Sequence, residues 1–161
     1  MPSPRPLPWA DTREWIERAT AAGQLRRVTG ARWQDDIGAI TEMLDHSPTA
    51  PCVLFDDIPG YPSGRRVIVN CNGSLERQAV TLNLPAEAAT HDGLMRFWRE
   101  TLAGLEPVPP VEVADGPVFE NILEGDAIDL EKFPVPIWHP QDGGRFIGTS
   151  SLNILKDPDS D

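Results

Sequence analysis

Basic charge is in short supply in this chain. It carries 14 Lys and Arg against 25 Asp and Glu, a net charge of −11 over 161 residues. An acidic surface gains nothing from a phosphate backbone or an anionic bilayer, so nucleic acid and membrane are both excluded as expected partners. Cysteine is scarce too. The two present, Cys52 and Cys71, form no Cys-x-x-Cys pair, which argues against a zinc ribbon or a short redox motif. Both are expected as buried thiols in a reducing cytoplasm. No apolar run approaches membrane-spanning length. The first residues carry Pro2, Pro4, Pro6 and Pro8 where a signal peptide would need an apolar core, and residues 1–10 read as an extended arm.

Hydrophobic residues make up 40% of the chain, enough to build a soluble core. Asp11 followed by Glu14 has the spacing of a helix N-cap and its capping-box partner. Trp15, Ile16, Ala19 and Ala22 then share one helical face, and Gly23 is placed to stop the helix. A short strand is expected over residues 25–28. Residues 34–46 form a second helix candidate, with Asp35 and Asp36 at its positive end and Ile37, Ile40 and Leu44 as its apolar stripe. Cys52-Val53-Leu54-Phe55 fits a buried strand. A Gly/Pro loop over 56–64 separates it from the β-branched centre Val67-Ile68-Val69, so the two strands are expected to pair. Ser74 is placed to cap a short helix reaching Val80. Thr90 is placed to cap a longer one with Leu94, Trp98, Leu102 and Leu105 on its face; Trp15 and Trp98 are expected in the core.

Glu106-Pro107-Val108-Pro109-Pro110 ends that helix and marks the domain boundary. The texture beyond is β: a strand over 117–123, a turn at Glu124-Gly125-Asp126, one helical turn capped by Asp129, and a strand over 145–155. Thus the organisation is an arm (1–10), an α/β domain (11–106), a linker (107–116) and a second domain beginning at 117 and running to 161.

Side chains with chemical potential are few. His139 lacks an acidic or histidine partner at convincing spacing and reads as a hydrogen-bonded loop residue. His46 and His91 fall near helix ends and are expected in solvent. Asp142-Gly143-Gly144 lacks a following helix and any Walker or dinucleotide pattern, so it reads as a tight turn rather than a phosphate cradle. Arg145 is open to two readings, an anion contact or an ion pair. Asn153 shares a strand face with Thr149.

Several motifs stand in one order: Ala22-Gly23-Gln24-Leu25-Arg26-Arg27-Val28, Val53-Leu54-Phe55-Asp56-Asp57-Ile58-Pro59-Gly60-Tyr61-Pro62 and Gly73-Ser74-Leu75-Glu76-Arg77 come first. Gly116-Pro117-Val118-Phe119-Glu120-Asn121, Phe133-Pro134-Val135-Pro136-Ile137-Trp138-His139 and Asp142-Gly143-Gly144-Arg145-Phe146-Ile147-Gly148-Thr149 follow, then Asp157-Pro158-Asp159. In this order they resemble the N-terminal part of the UbiD family of reversible decarboxylases. The resemblance implies an α+β chain: an N-terminal α/β domain followed by the first strands of a flavin-reductase-like split β-barrel, here incomplete.

It also implies chemistry. The family (de)carboxylates aromatic or α,β-unsaturated acids with prenylated FMN, whose phosphate is bridged by manganese (Mn2+), often with a potassium ion (K+) nearby. The cofactor acts as electron sink while the protein orients and protonates. The family's metal-binding Asn, His and Glu and its catalytic Arg and Glu match no position here, so no catalytic and no metal residue is assigned. Thr149 alone is a candidate for facing the cofactor. The resemblance further implies a homo-oligomer and a flavin prenyltransferase as cofactor supplier. The expectation is an N-terminal fragment of a carboxy-lyase, inactive alone and binding no cofactor by itself. The alternative is a non-catalytic structural or interaction subunit that completes a decarboxylase supplied by another chain.

Overall fold

The computed structural model describes residues 10–107 and 109–148. Three strands form one mixed sheet. Strand β1 (Leu25–Thr29) runs parallel to β2 (Cys52–Asp56), and β2 runs antiparallel to β3 (Val67–Val69), in the order β1-β2-β3. Leu25 lies opposite Cys52, and Val53 lies opposite Val69. The central strand is covered on both faces, which is why its sequence is a continuous apolar run rather than an alternating one.

Alternation along β2 divides the core in two. Cys52 and Leu54 face Trp15, Ile16, Ala19 and Leu25, with Ile68, Cys71 and Val80 packed alongside. Val53 and Phe55 face the other way, into Ala31, Ile37, Ile58 and Val69, with Ile40, Leu44 and Trp138 alongside. Successive strand residues point to opposite faces, so one strand feeds both clusters.

Helix α1 (Thr12–Ala21) starts as its sequence requires. Asp11 accepts hydrogen bonds from the Arg13 and Glu14 amides. Glu14 reaches back to the Ala10 amide at 2.8 Å, one residue before the cap. The helix ends where Gly23, at φ +69°, takes the left-handed conformation that costs other residues energy. Its amide donates to Thr20 O, and the Gln24 amide donates to Ala19 O, the paired bonds of a Schellman stop. Ala22, expected on the buried face, is the exposed C-cap.

Helix α2 (Asp36–Asp45) joins β1 to β2 on the second face. Asp35 is its N-cap, and Arg32 bridges Asp35 at 2.7 Å and Asp36 at 3.0 Å. Helix α3 (Leu75–Thr81) is capped by Ser74, whose hydroxyl accepts from the Arg77 amide. Helix α4 (His91–Ala103) is capped by Thr90.

Three further expectations fail here. Trp98 is not core: it is 47% exposed, and Leu102 and Leu105 on the same face are exposed as well, leaving only Leu94 buried in α4. Helical spacing identifies an apolar stripe but not what covers it. Second, residues 117–123 form no strand. Pro117–Phe119 is a 3-10 turn with Pro at its start, where a fixed φ and a missing N–H are tolerated. Third, residues 145–148 are irregular rather than the start of a strand; the rest of that expected strand lies outside the described residues. Further 3-10 turns cover Gly125–Ala127 and Leu130–Lys132, the latter capped by Asp129 as expected.

Candidate functional site

Residues 133–148, which carry the most specific motif, return to the sheet as a strap across α2 and the β2–β3 loop. Pro134 and Pro136 are buried, and Trp138 packs into the cluster around Phe55 and Ile37. The Ile137 amide donates to Trp33 O at 3.0 Å. Such close approach needs a helix surface without a side chain. Gly38, in the first turn of α2, supplies it: a Cβ there would stand 2.4 Å from Trp138 O and 2.5 Å from Ile137 O.

Arg145 pins the far end. Its Nε donates to Val135 O at 2.8 Å. Its Nη2 donates to Phe133 O at 2.6 Å and to the Tyr61 hydroxyl. The guanidinium carbon also lies 4.2 Å from the centre of the Trp33 ring, over its face, a favourable cation–π geometry. Arg145 forms no ion pair among the described residues. It is a brace between two carbonyls and two aromatic rings. A second stacking contact sets Arg65 over Phe133 at 5.2 Å.

His139 sits at the bend of the strap, its side chain 62% exposed. The Asp142 amide donates to His139 O at 3.0 Å, and the His139 amide donates to Asp142 Oδ2 at 3.0 Å, so a tight turn spans residues 139–142, ahead of the Gly143-Gly144 pair on which it was expected. The fold brings the His139 ring 3.5 Å from Glu42 and 3.6 Å from Asp142. Glu42 in turn holds His46 at 3.0 Å. Sequence spacing missed Glu42 because it lies on α2. These contacts are exposed and suit local positioning more than proton transfer.

Thr149, the one cofactor-facing candidate, lies outside the described residues, as does Asn153. Among the described residues no group of three or more His, Cys, Asp or Glu is placed to hold a metal ion. One braced guanidinium without such a group does not make a manganese or flavin-phosphate site, so no chemical step is assigned to these residues.

One buried cation was also missed. Arg77 is 1% exposed. Its Nη1 donates to Ala50 O at 2.9 Å and Gln24 Oε1 at 3.4 Å, while Nε and Nη2 have no hydrogen-bond partner among the described residues. Gly73 leaves the room: a Cβ there would meet Nη2 at 3.1 Å and Asn70 Oδ1 at 1.7 Å.

A mixed sheet sandwiched by helices, with a proline-rich strap folded back across it, agrees with the comparisons with known proteins. Residues 16–94 match the 3-octaprenyl-4-hydroxybenzoate carboxy-lyase N-terminal domain, and residues 110–161 match the Rift-related domain of the same carboxy-lyase. The chain belongs to the UbiD family. It is similar to a pyrrole-2-carboxylic acid decarboxylase from Pseudomonas aeruginosa, with 32% identity over 157 residues, covering 92% of this chain and 31% of the relative. An uncharacterized protein in the cooM 5′ region of Rhodospirillum rubrum is likewise 32% identical, covering 98% of this chain and 32% of that protein. The closed form of the vanillic acid decarboxylase of Sedimentibacter hydroxybenzoicus superposes with a TM-score of 0.72 at 29% identity, over 85% of this chain and 29% of that one. Its open form gives 0.70 at 31% identity, with the same coverage. The chain thus spans about a third of the length of the relatives it matches.

Proposed function

We propose that this chain serves as the N-terminal portion of a carboxy-lyase acting on an aromatic or α,β-unsaturated acid with prenylated FMN and manganese. The observation that carries this is the ordered match on both sides of residues 107–110 to relatives that include a pyrrole-2-carboxylic acid decarboxylase and a vanillic acid decarboxylase. The described residues contribute scaffold. The sheet, α2 and Tyr61 hold the strap. On this reading residues from Thr149 onward enter a flavin-reductase-like split barrel, Thr149 faces the cofactor, and the metal ligands and proton-transfer groups lie in further polypeptide. The assembled enzyme is a homo-oligomer in the cytoplasm, supplied by a flavin prenyltransferase.

The exposed apolar face of α4, with Met95, Trp98 and Leu102, and Leu105 just past its end, supports packing against further polypeptide. That polypeptide belongs to the same chain on the first reading and to a separate subunit on the second, in which this chain completes a decarboxylase non-catalytically.

The test is expression with and without the downstream coding sequence, alongside a flavin prenyltransferase. The longer protein is expected to show flavin absorbance and to release carbon dioxide from at least one acid of a panel including pyrrole-2-carboxylate and vanillate. The 161-residue chain alone is expected to show neither. A longer protein without bound flavin would overturn the first reading; recovery of flavin only with a separately encoded chain would establish the second.

A further inference from the structure

Cys52 and Cys71 are distant in sequence but meet in the first core cluster. Register explains how. Continuing the β2–β3 pairing beyond Val53 and Val69 sets Asn70 beside Cys52, and strict alternation would turn Cys71 to the opposite face. Asn70 breaks the alternation with φ +60°, a conformation asparagine tolerates better than most residues. Its side chain is held by donation to Pro51 O at 3.0 Å and Ala50 O at 3.3 Å. Cys71 therefore joins Ile68 and Cys52 on one side. Cys52 is fully buried, whereas Cys71, expected to be buried, is only partly so.

The cation beside them is Arg77. A guanidinium at 1% exposure with two unpartnered nitrogens is expensive unless a negative group compensates. None of the ion pairs among the described residues includes it; its neighbours Gln24 and Ala50 are neutral. Glu76, on the same helix, feels its charge only weakly and lies at the surface. Its charge is felt by the two thiols. Donation from the Cys52 thiol, then the Arg77 charge, lower Cys71 to about 7 from the ordinary 9.0, against the opposing effect of burial. The same hydrogen bond and complete burial push Cys52 up. The two thiols are thereby divided into a nucleophile and its proton-holding neighbour.

We propose that Cys71, the partly exposed member of the pair, is a peroxide-reactive thiol site that closes onto the buried Cys52 as an intrachain disulfide. The Cys71 thiolate attacks one peroxide oxygen. An S–O bond forms, the O–O bond breaks, and hydroxide leaves and is protonated to water. Cys52 then loses its proton and attacks the Cys71 sulfur. The S–S bond forms, the S–O bond breaks, and the departing hydroxide takes a proton as the second water. Two thiols are oxidised and one peroxide is reduced to two waters. The disulfide would tie the first residue of β2 to the chain two residues past β3. This site is independent of the carboxy-lyase reading and stands whichever chain supplies catalysis.

The test treats the purified 161-residue chain with hydrogen peroxide and follows it by mass spectrometry. The expected result is an intrachain loss of 2 Da with a linked Cys52–Cys71 peptide, reversed by dithiothreitol. Alkylation of Cys71 by iodoacetamide should show a pH midpoint near 7, rising in Cys52→Ala, a small substitution that leaves Arg77 in place. In Cys52→Ala, peroxide should leave a dimedone-reactive Cys71 and no intrachain link. Peroxide treatment that yields no linked peptide in the unsubstituted chain, or a Cys71 midpoint in the ordinary thiol range, overturns the proposal.

Discussion

Gly38→Ala places two rules in opposition, and the structure decides between them. By helix propensity alone, replacing a helical glycine with alanine gains up to about 1 kcal/mol. At this position the added methyl would stand 2.4 Å from Trp138 O, 2.5 Å from Ile137 O and 2.9 Å from Trp138 C, roughly 1 Å inside comfortable nonbonded distance. All three are backbone atoms and cannot swing aside as a side-chain tip would. The strap must lift. Lifting it breaks the Ile137–Trp33 backbone bond, worth about 1 kcal/mol. It also draws Arg145 off the Trp33 face, worth about 0.5–2 kcal/mol, and exposes part of Trp138. After subtracting the helical gain, the strap should be weakened by about 1–3 kcal/mol. The sheet itself is untouched, so the opening is local. Hydrogen exchange read on peptides spanning residues 133–140 should therefore speed up roughly 5- to 150-fold, while peptides from β2 change little. A variant with unchanged exchange in the strap and a raised melting temperature would refute the reasoning, because it would show the propensity gain unopposed.

Arg145→Lys should also loosen the strap, since an ammonium keeps the charge but cannot reach Val135 O, Phe133 O and the Tyr61 hydroxyl from one planar group. Faster exchange around Ile137 and altered emission from Trp33 are expected; an unchanged exchange profile would mean that the charge alone holds the strap. The pH dependence has a definite sign. Arg32 donates to Asp36 and holds its carboxyl below the ordinary 3.8. Asp36 thus binds fewer protons folded than unfolded between those values, and its contribution is present above 3.8 and lost as pH falls through the lowered value. Urea midpoints should fall from pH 5 to pH 3 in the unsubstituted chain and less steeply in Asp36→Asn; equal slopes would dismiss the Arg32–Asp36 contact as a source.

Local signals carried much of the fold. Asp11, Ser74 and Thr90 each cap the helix their spacing announced, because a cap is a contact within one turn of chain. Gly23 closes α1 for the same reason. The apolar run of β2 announced burial on both faces, and the Gly/Pro loop announced its pairing with β3. What failed depends on distant partners. Trp98 has the spacing of a core residue, but nothing among the described residues covers the outer half of α4. The β-branched residues Val118 and Ile122 gave residues 117–123 a strand-like texture, yet Pro117 and an absent pairing strand leave only a 3-10 turn. Strand propensity is realised only when a neighbouring strand accepts the bonds.

The strap shows why a motif can be legible while its purpose is not. Its prolines, Trp138 and the Gly143-Gly144 pair are contiguous and could be read directly. The residues that receive it are scattered: Trp33 before α2, Gly38 within α2, and Tyr61 in the β2–β3 loop. Only the folded sheet brings those three together. Arg145 is the clearest case. Read in sequence, an arginine after a glycine pair is open to an anion contact or an ion pair. In three dimensions its Nε and Nη2 are turned toward two carbonyls and a phenol, and its flat face is laid on an indole. A guanidinium held on three sides by neutral groups is fixed in direction as well as place. It therefore fixes the end of the strap against Trp33 and Tyr61, the two rings that no reading of the motif alone could supply.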